Sequence, residues 1–215
     1  MYFEYDNQTA EYLMKKDKKL GAAIRRIGHI SRPVDSDLFS SVVRHIVAQQ
    51  ISAAAQETVW NRLLKAVGTV DAECLSLLGR EKLQSIGITF KKADYILDFA
   101  QRVRNGAFDI DSLANMPDEL AIKELSNLNG VGVWTAEMIL IFCMRRPDIV
   151  SFGDLAVLRG MRMLYRRRQI DRPAFERYRK RYSPHGTVAS LYLWAIAGGA
   201  LPELTDPAAS KRAGK

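Results

Sequence analysis

The sequence predicts an all-α fold, and three observations carry that prediction. Apolar residues recur three and four apart in segment after segment, the spacing that lines one face of a helix. Strand signals are scarce. Glycine, proline and short acidic residues punctuate the apolar stretches where helices start and stop. At 215 residues the chain is long enough for one large domain or for two small lobes around a shared core.

The elements follow in order. Met1 to Leu20 is polar, with acidic and aromatic residues throughout, and has no signal-peptide core. Leu38, Phe39, Val42, Val43, Ile46 and Val47 form the first strong stripe, interrupted by Gln49-Gln50-Ile51-Ser52. A second helix is expected from Ala53 to Val67, ending at Gly68, then shorter ones from Glu73 to Leu78 and before Gly87. Lys91 to Arg104 reads as a helix with Ala93, Ile96, Leu97 and Ala100 on one face and Gly106 behind it as a stop. Pro117 suits the first position of a helix ending near Ser126, with Asp118 and Glu119 at its positive end. Trp134 to Met144 is the most apolar helix and should lie in the core. Asp154 fits the cap of a helix reaching Tyr165. The last helices are expected over Pro173 to Tyr182 and Thr187 to Ala197, the latter stopped by Gly198-Gly199.

Composition narrows the function. Lys and Arg number 32 against 24 Asp and Glu, a formal charge of +8 that favours a polyanionic partner. No run reaches membrane-spanning length. Cys74 and Cys143 lie in apolar stretches at a spacing that suits neither a zinc knuckle nor a disulfide scaffold. They read as buried free thiols, and a reducing intracellular compartment is the default.

Two places carry chemistry. In Leu128-Asn129-Gly130-Val131-Gly132-Val133-Trp134-Thr135-Ala136 two glycines permit a tight turn between helices, with dihedrals that other residues avoid. The helix that starts there points its first N–H groups outward, which suits a phosphate; an ordinary αα-hairpin uses glycine equally well. Asp154 also has two readings. An Asp before an apolar-periodic run is a standard N-cap. An ionised carboxylate beside a sugar also stabilises the positive charge that builds as an N-glycosidic bond breaks, or orients a water to trap it.

Leu128 to Ala136 resembles the helix-hairpin-helix signature L-P-G-[IV]-G-x-x-T-A of base-excision DNA glycosylases. Arg146-Pro147-Asp148, followed by Asp154-Leu155, resembles the R-P-D-x-x-x-x-x-D-L pattern of the 3-methyladenine DNA glycosylase II branch. Ala189-Ser190-Leu191-Tyr192-Leu193-Trp194 resembles its final-helix motif, and Arg44 to Ser52 its other signature. The likeness runs from about Asp37 to Ala195.

That resemblance implies two helical lobes with a helix-hairpin-helix motif and a DNA-binding cleft between them. Residues 1–36 would pack with the C-terminal lobe, 37–145 would contain the hairpin, 146–208 would carry the catalytic Asp, and 209–215 would be a flexible tail. The sheet domain of some relatives is absent, so essentially the catalytic core is expected. Asp154, twenty residues beyond Trp134, is the implied catalytic carboxylate, with Asp148 a structural or capping residue. Trp134 stands where strand-cleaving relatives carry a nucleophilic Lys, so the enzyme would leave an abasic site without AP lyase activity.

Gly130, Gly132 and Thr135 would bind a DNA phosphate. The carbonyls of Ser126, Leu128 and Val131 would hold a structural Na⁺ or K⁺. Asn129 replaces the usual proline, at some loss of stiffness. Trp194, Trp134, Met138 and Leu155 would form the base pocket, where a cationic purine stacks on an aromatic face. Gln50, with Ile51 beside it, would fill the gap left by the flipped nucleotide. Ser183-Pro184-His185-Gly186-Thr187 departs from the usual aromatic-Arg-Ser and puts a DNA or structural contact in doubt. No organic cofactor is required, and two cysteines cannot hold an iron–sulfur cluster.

The implied activity is hydrolytic release of 3-methyladenine or 7-methylguanine from double-stranded DNA by a monomer without membrane partners. Its abasic product would pass to downstream abasic-site repair enzymes. A glycosylase for another damaged base and a non-catalytic damaged-DNA binder remain alternatives. Lys91-Lys92 and Arg166-Arg167-Arg168 read either as phosphate contacts or as solvated surface. His45 reads as a phosphate or solvent contact or a satisfied histidine.

Overall fold

The computed structural model describes residues 1–208, so the tail expected at 209–215 lies outside the described residues. Within them the chain is all-α, with twelve α-helices, one 3-10 helix at Asp111–Asn115 and an isolated bridge between Tyr2 and Pro33. It divides into two compact units, Asp35–Met144 and a second formed by Met1–Val34 with the chain from Arg145 onward.

In the unit Asp35–Met144 the helices are α3 (Leu38–Ala48), α4 (Ala53–Val67), α5 (Ala72–Leu78), α6 (Arg80–Ser85), α7 (Phe90–Arg104), α8 (Asp118–Ser126) and α9 (Val133–Phe142). Side chains of Asp37, Ser52, Asp71 and Thr89 accept an N–H in the first turns of α3, α4, α5 and α7, which sets where each begins. Helix α3 packs against α4, α7 and α9, with the Phe39 and Phe99 rings stacked at 4.8 Å. Helix α9 is buried through Thr135, Ala136 and Met138 to Ile141, as its apolar sequence requires. Pro117 sits at the cap of α8, one place earlier than expected. Cys143 is buried, but Cys74 is only half-buried, because α5 is short and turns one edge to solvent.

The other unit holds α1 (Asn7–Lys16), α2 (Lys18–Ile27), α10 (Leu155–Tyr165), α11 (Arg172–Tyr182) and α12 (Gly186–Ala197). The first two are not among the expected helices: α1 is largely polar, while α2 carries Leu20, Ala23, Ile24 and Ile27 at helical spacing. Asp17 ends α1 and caps α2, its buried carboxylate accepting the Lys19 and Leu20 N–H groups at 3.0 Å each. The same carboxylate accepts the Tyr165 hydroxyl at 2.8 Å and the Arg181 guanidinium at 3.2 Å, tying the N-terminal pair to α10 and α11. Helices α10 and α12 pack so closely that a Cβ on Gly160 would lie 2.2 Å from the Leu193 carbonyl oxygen.

Candidate active site

Asp154 is the N-cap of α10. Its Oδ1 accepts the amides of Ala156 and Val157, both at 2.8 Å, and the residue is only 6% exposed. Both amides converge on one carboxylate oxygen, so capping and a charge role are compatible in one side chain. Asp148, six residues earlier, accepts the Ser183 hydroxyl at 2.6 Å and the Gly186 amide at 2.9 Å. It thus caps the start of α12. A Cβ at Gly186 would meet Asp148 Oδ1 and Val150 Cγ2 at 2.7 Å, so glycine here serves this closure.

The four residues expected at a base pocket have different surroundings. Trp194 is half-buried on α12, and Met138 is buried in α9. Trp134 is 47% exposed at the start of α9, and Leu155 is 81% exposed beside Asp154. Asp154 and Trp194 belong to the same unit, on helices that pack directly together.

In the hairpin between α8 and α9, the two glycines do different work. Gly130 has φ +82°, and a Cβ there would lie 2.3 Å from the Tyr95 ring. Gly132 has φ −89° and ψ 171°, ordinary extended backbone, and a Cβ there would meet nothing within 4 Å. The expectation that both glycines supply unusual dihedrals therefore holds for Gly130 alone. The N-cap of α9 is Gly132, which has no side chain of its own to accept the first helical amides. Thr135 is buried one turn in. Asn129, in the place of proline, donates to Asp98 Oδ2 at 3.0 Å and so ties the turn to α7.

A monovalent cation suits this turn. Neutral carbonyls at Ser126, Leu128 and Val131 are hard donors without excess charge. The Ser126 hydroxyl is buried with no hydrogen-bond partner, an oxygen that a cation would satisfy.

Gln50 follows α3 at φ +58°, a region where a non-glycine side chain is strained, and is exposed; Ile51 is 39% exposed. Gln49, Gln50, Ile51, Lys91, Lys92, Tyr95 and Gly130 line one groove of about 320 Å³. This unit therefore brings the gap-filling candidates beside the hairpin glycine. Lys92 differs from its tandem partner. Its ammonium donates to the carbonyls of Val47 at 2.9 Å and Gln49 at 2.6 Å, so it serves the end of α3 rather than a phosphate. The contact spans more than forty residues of sequence and no local signal announces it. His45 Nδ1 bonds the Ser41 carbonyl at 2.8 Å, and burial holds its pKa below the usual histidine range, marking a satisfied neutral histidine. Arg166 caps α10 in the left-handed conformation, and Arg166, Arg167 and Arg168 are exposed.

Comparison with known proteins identifies the family and the fold. Residues 43–184 match the HhH-GPD superfamily base excision DNA repair protein family. The crystal structure of a DNA-3-methyladenine glycosidase from Bacillus halodurans superposes with a TM-score of 0.85 at 31% identity, covering 94% of this chain and 95% of that one. A Schizosaccharomyces pombe 3-methyladenine DNA glycosylase solved with abasic DNA superposes at 0.78 and 22% identity, covering 93% of this chain and 100% of that one. DNA-3-methyladenine glycosylase 1 of S. pombe is 26% identical over 180 residues, 81% of this chain and 78% of its own length.

Proposed function

Because the chain belongs to the HhH-GPD superfamily of base excision DNA repair proteins, we propose that it is a monofunctional DNA glycosylase for alkylated purines. Its substrates are 3-methyladenine and 7-methylguanine in double-stranded DNA. The observation that carries this reading is a carboxylate, Asp154, held by two amides at the head of α10 in a chain that runs end to end with a DNA-3-methyladenine glycosidase at 31% identity.

A purine methylated on a ring nitrogen is already cationic and leaves without a strong general acid. The demand falls on the sugar, where positive charge develops as the bond lengthens. Asp154 supplies a fixed negative charge for that transition state, and water completes the hydrolysis. Trp194, on the helix packed against α10, offers an aromatic face to a flipped cationic base. The amides behind Gly132 and Thr135 receive a phosphate, and Gln50 with Ile51 enters the vacated stack. A bound Na⁺ or K⁺ would neutralise the carbonyl edge of the hairpin and hold its shape. Trp134 has no amine, so no Schiff base forms and the strand stays whole.

The test incubates the purified protein with methylated duplex DNA and identifies released bases by mass spectrometry. Release of 3-methyladenine or 7-methylguanine is expected, with strand breaks only after alkali or an abasic-site nuclease. Borohydride should trap no protein–DNA adduct. Specific binding of lesion DNA without base release would replace the enzyme by a damage-binding protein, and a borohydride adduct would overturn the monofunctional assignment.

A further inference from the structure

The turn after α3 does not hold itself. Its own backbone bonds are long, Gln49 to the Ile46 carbonyl at 3.4 Å and Ile51 to the Ala48 carbonyl at 3.5 Å. Between them Gln50 carries a positive φ, a conformation unfavourable to a non-glycine residue. Something outside the turn must fix it, and two contacts do.

The first is Lys92. Its half-buried ammonium bonds two carbonyls that flank the turn, Val47 and Gln49, at 2.9 and 2.6 Å. Hydrogen bonds from an ionised donor are the stronger kind, roughly twice a neutral pair. The second contact leads to the hairpin, where Gln49 Nε2 donates to the Gly130 carbonyl at 2.6 Å. Tyr95, three residues beyond Lys92 and on the same side of α7, packs against Gly130 where a Cβ would stand. Helix α7 thus touches the gap-filling turn through Lys92 and the phosphate-binding turn through Tyr95, and Gln49 closes the link between them.

We propose that Lys92 is a positioning residue that locks the Gln50–Ile51 turn to the hairpin, so that the wedge enters duplex DNA in fixed register with the phosphate grip. This rests on the glycosylase reading given above. A mere helix-end cap would lend stability alone. A register lock matters specifically when a base must be drawn from a duplex and its gap filled, and not when the lesion lies in a single strand.

The test compares wild type, Lys92→Met and Lys92→Arg, with Gln49→Met as a second break in the link should Lys92→Met fail to fold. Single-turnover release of 3-methyladenine is measured from a duplex and from the same single strand. Fluorescence of 2-aminopurine beside the lesion reports unstacking without chemistry. Loss of the lock should slow release from the duplex by about tenfold or more while leaving single-strand release within about twofold of wild type. The fluorescence rise should shrink in step. Lys92→Arg, which keeps a charged donor, should recover most of the duplex rate. Equal slowing on both substrates, or an unchanged duplex rate in a folded variant, overturns the proposal. A wild-type protein that releases no base defeats the glycosylase reading instead, and the fluorescence of Lys92→Met against wild type still decides the role of Lys92.

Discussion

At Gly132 the backbone is extended and a Cβ would meet no heavy atom beyond its chain neighbours within 4 Å, so a side chain there fits the fold. Valine there should leave the fold standing, at a cost of about 1 kcal/mol for a poor N-cap. What it obstructs is the approach of a phosphate to the amides of α9. Gly132→Val is therefore expected to bind duplex DNA about tenfold more weakly or worse, each tenfold being roughly 1.4 kcal/mol. A titration showing unchanged affinity in the folded variant would remove the hairpin from the phosphate-binding role. The sequence presents Gly130 and Gly132 as a pair; only the structure separates the one that shapes the turn from the one that opens it. Gln50 marks the opposite limit, since nothing in its identity signals the left-handed conformation that puts it at the rim of the groove.

Helices were legible where periodicity met a cap. The bounds read for α4 and its glycine stop, and for α10 behind Asp154, are those the structure shows, because a local side chain, Ser52 or Asp154, fixes each start. Helix α1 has few apolar positions and little local signal, whereas α2 carries Leu20, Ala23, Ile24 and Ile27 at helical spacing, a signal that was there to be found. What no local pattern shows is that Asp17 serves both helices and places its second oxygen on Tyr165 and Arg181 far along the chain. From sequence Lys92 reads as either a phosphate contact or solvated surface, since its actual partners are carbonyls of another segment. The role of Gly160 is likewise tertiary. It lets α10, which begins at Asp154, lie against α12, which carries Trp194. Gly160→Ala sets a methyl 2.2 Å from a backbone oxygen that cannot rotate away, so the two helices must move apart. Overpacking of this kind costs about 1–3 kcal/mol, and both the melting temperature and the excision rate should fall. An unchanged melt would show that α10 and α12 tolerate a wider spacing.

Over the whole molecule, the formal charge of +8 should give binding to a polyanion such as DNA a large electrostatic share. Each Lys or Arg that neutralises a phosphate should contribute about a 3.5-fold loss of affinity for a fourfold rise in salt. Titrations across that range should therefore show a steep decline, and salt-independent binding would contradict a phosphate-dominated grip. Binding is only the setting for the chemistry, which we propose is driven by the charge of Asp154. The direct measurement is single-turnover release of 3-methyladenine and 7-methylguanine by wild type and Asp154→Asn, with a thermal melt and a DNA titration on the same preparations. Asparagine keeps an oxygen for the amides of Ala156 and Val157, so the fold and lesion binding should survive while the negative charge is gone. Release should slow by about tenfold or more, a loss of roughly 1.4 kcal/mol or greater in transition-state stabilisation. A folded Asp154→Asn protein that releases both bases at the wild-type rate would make Asp154 a helix cap and nothing more.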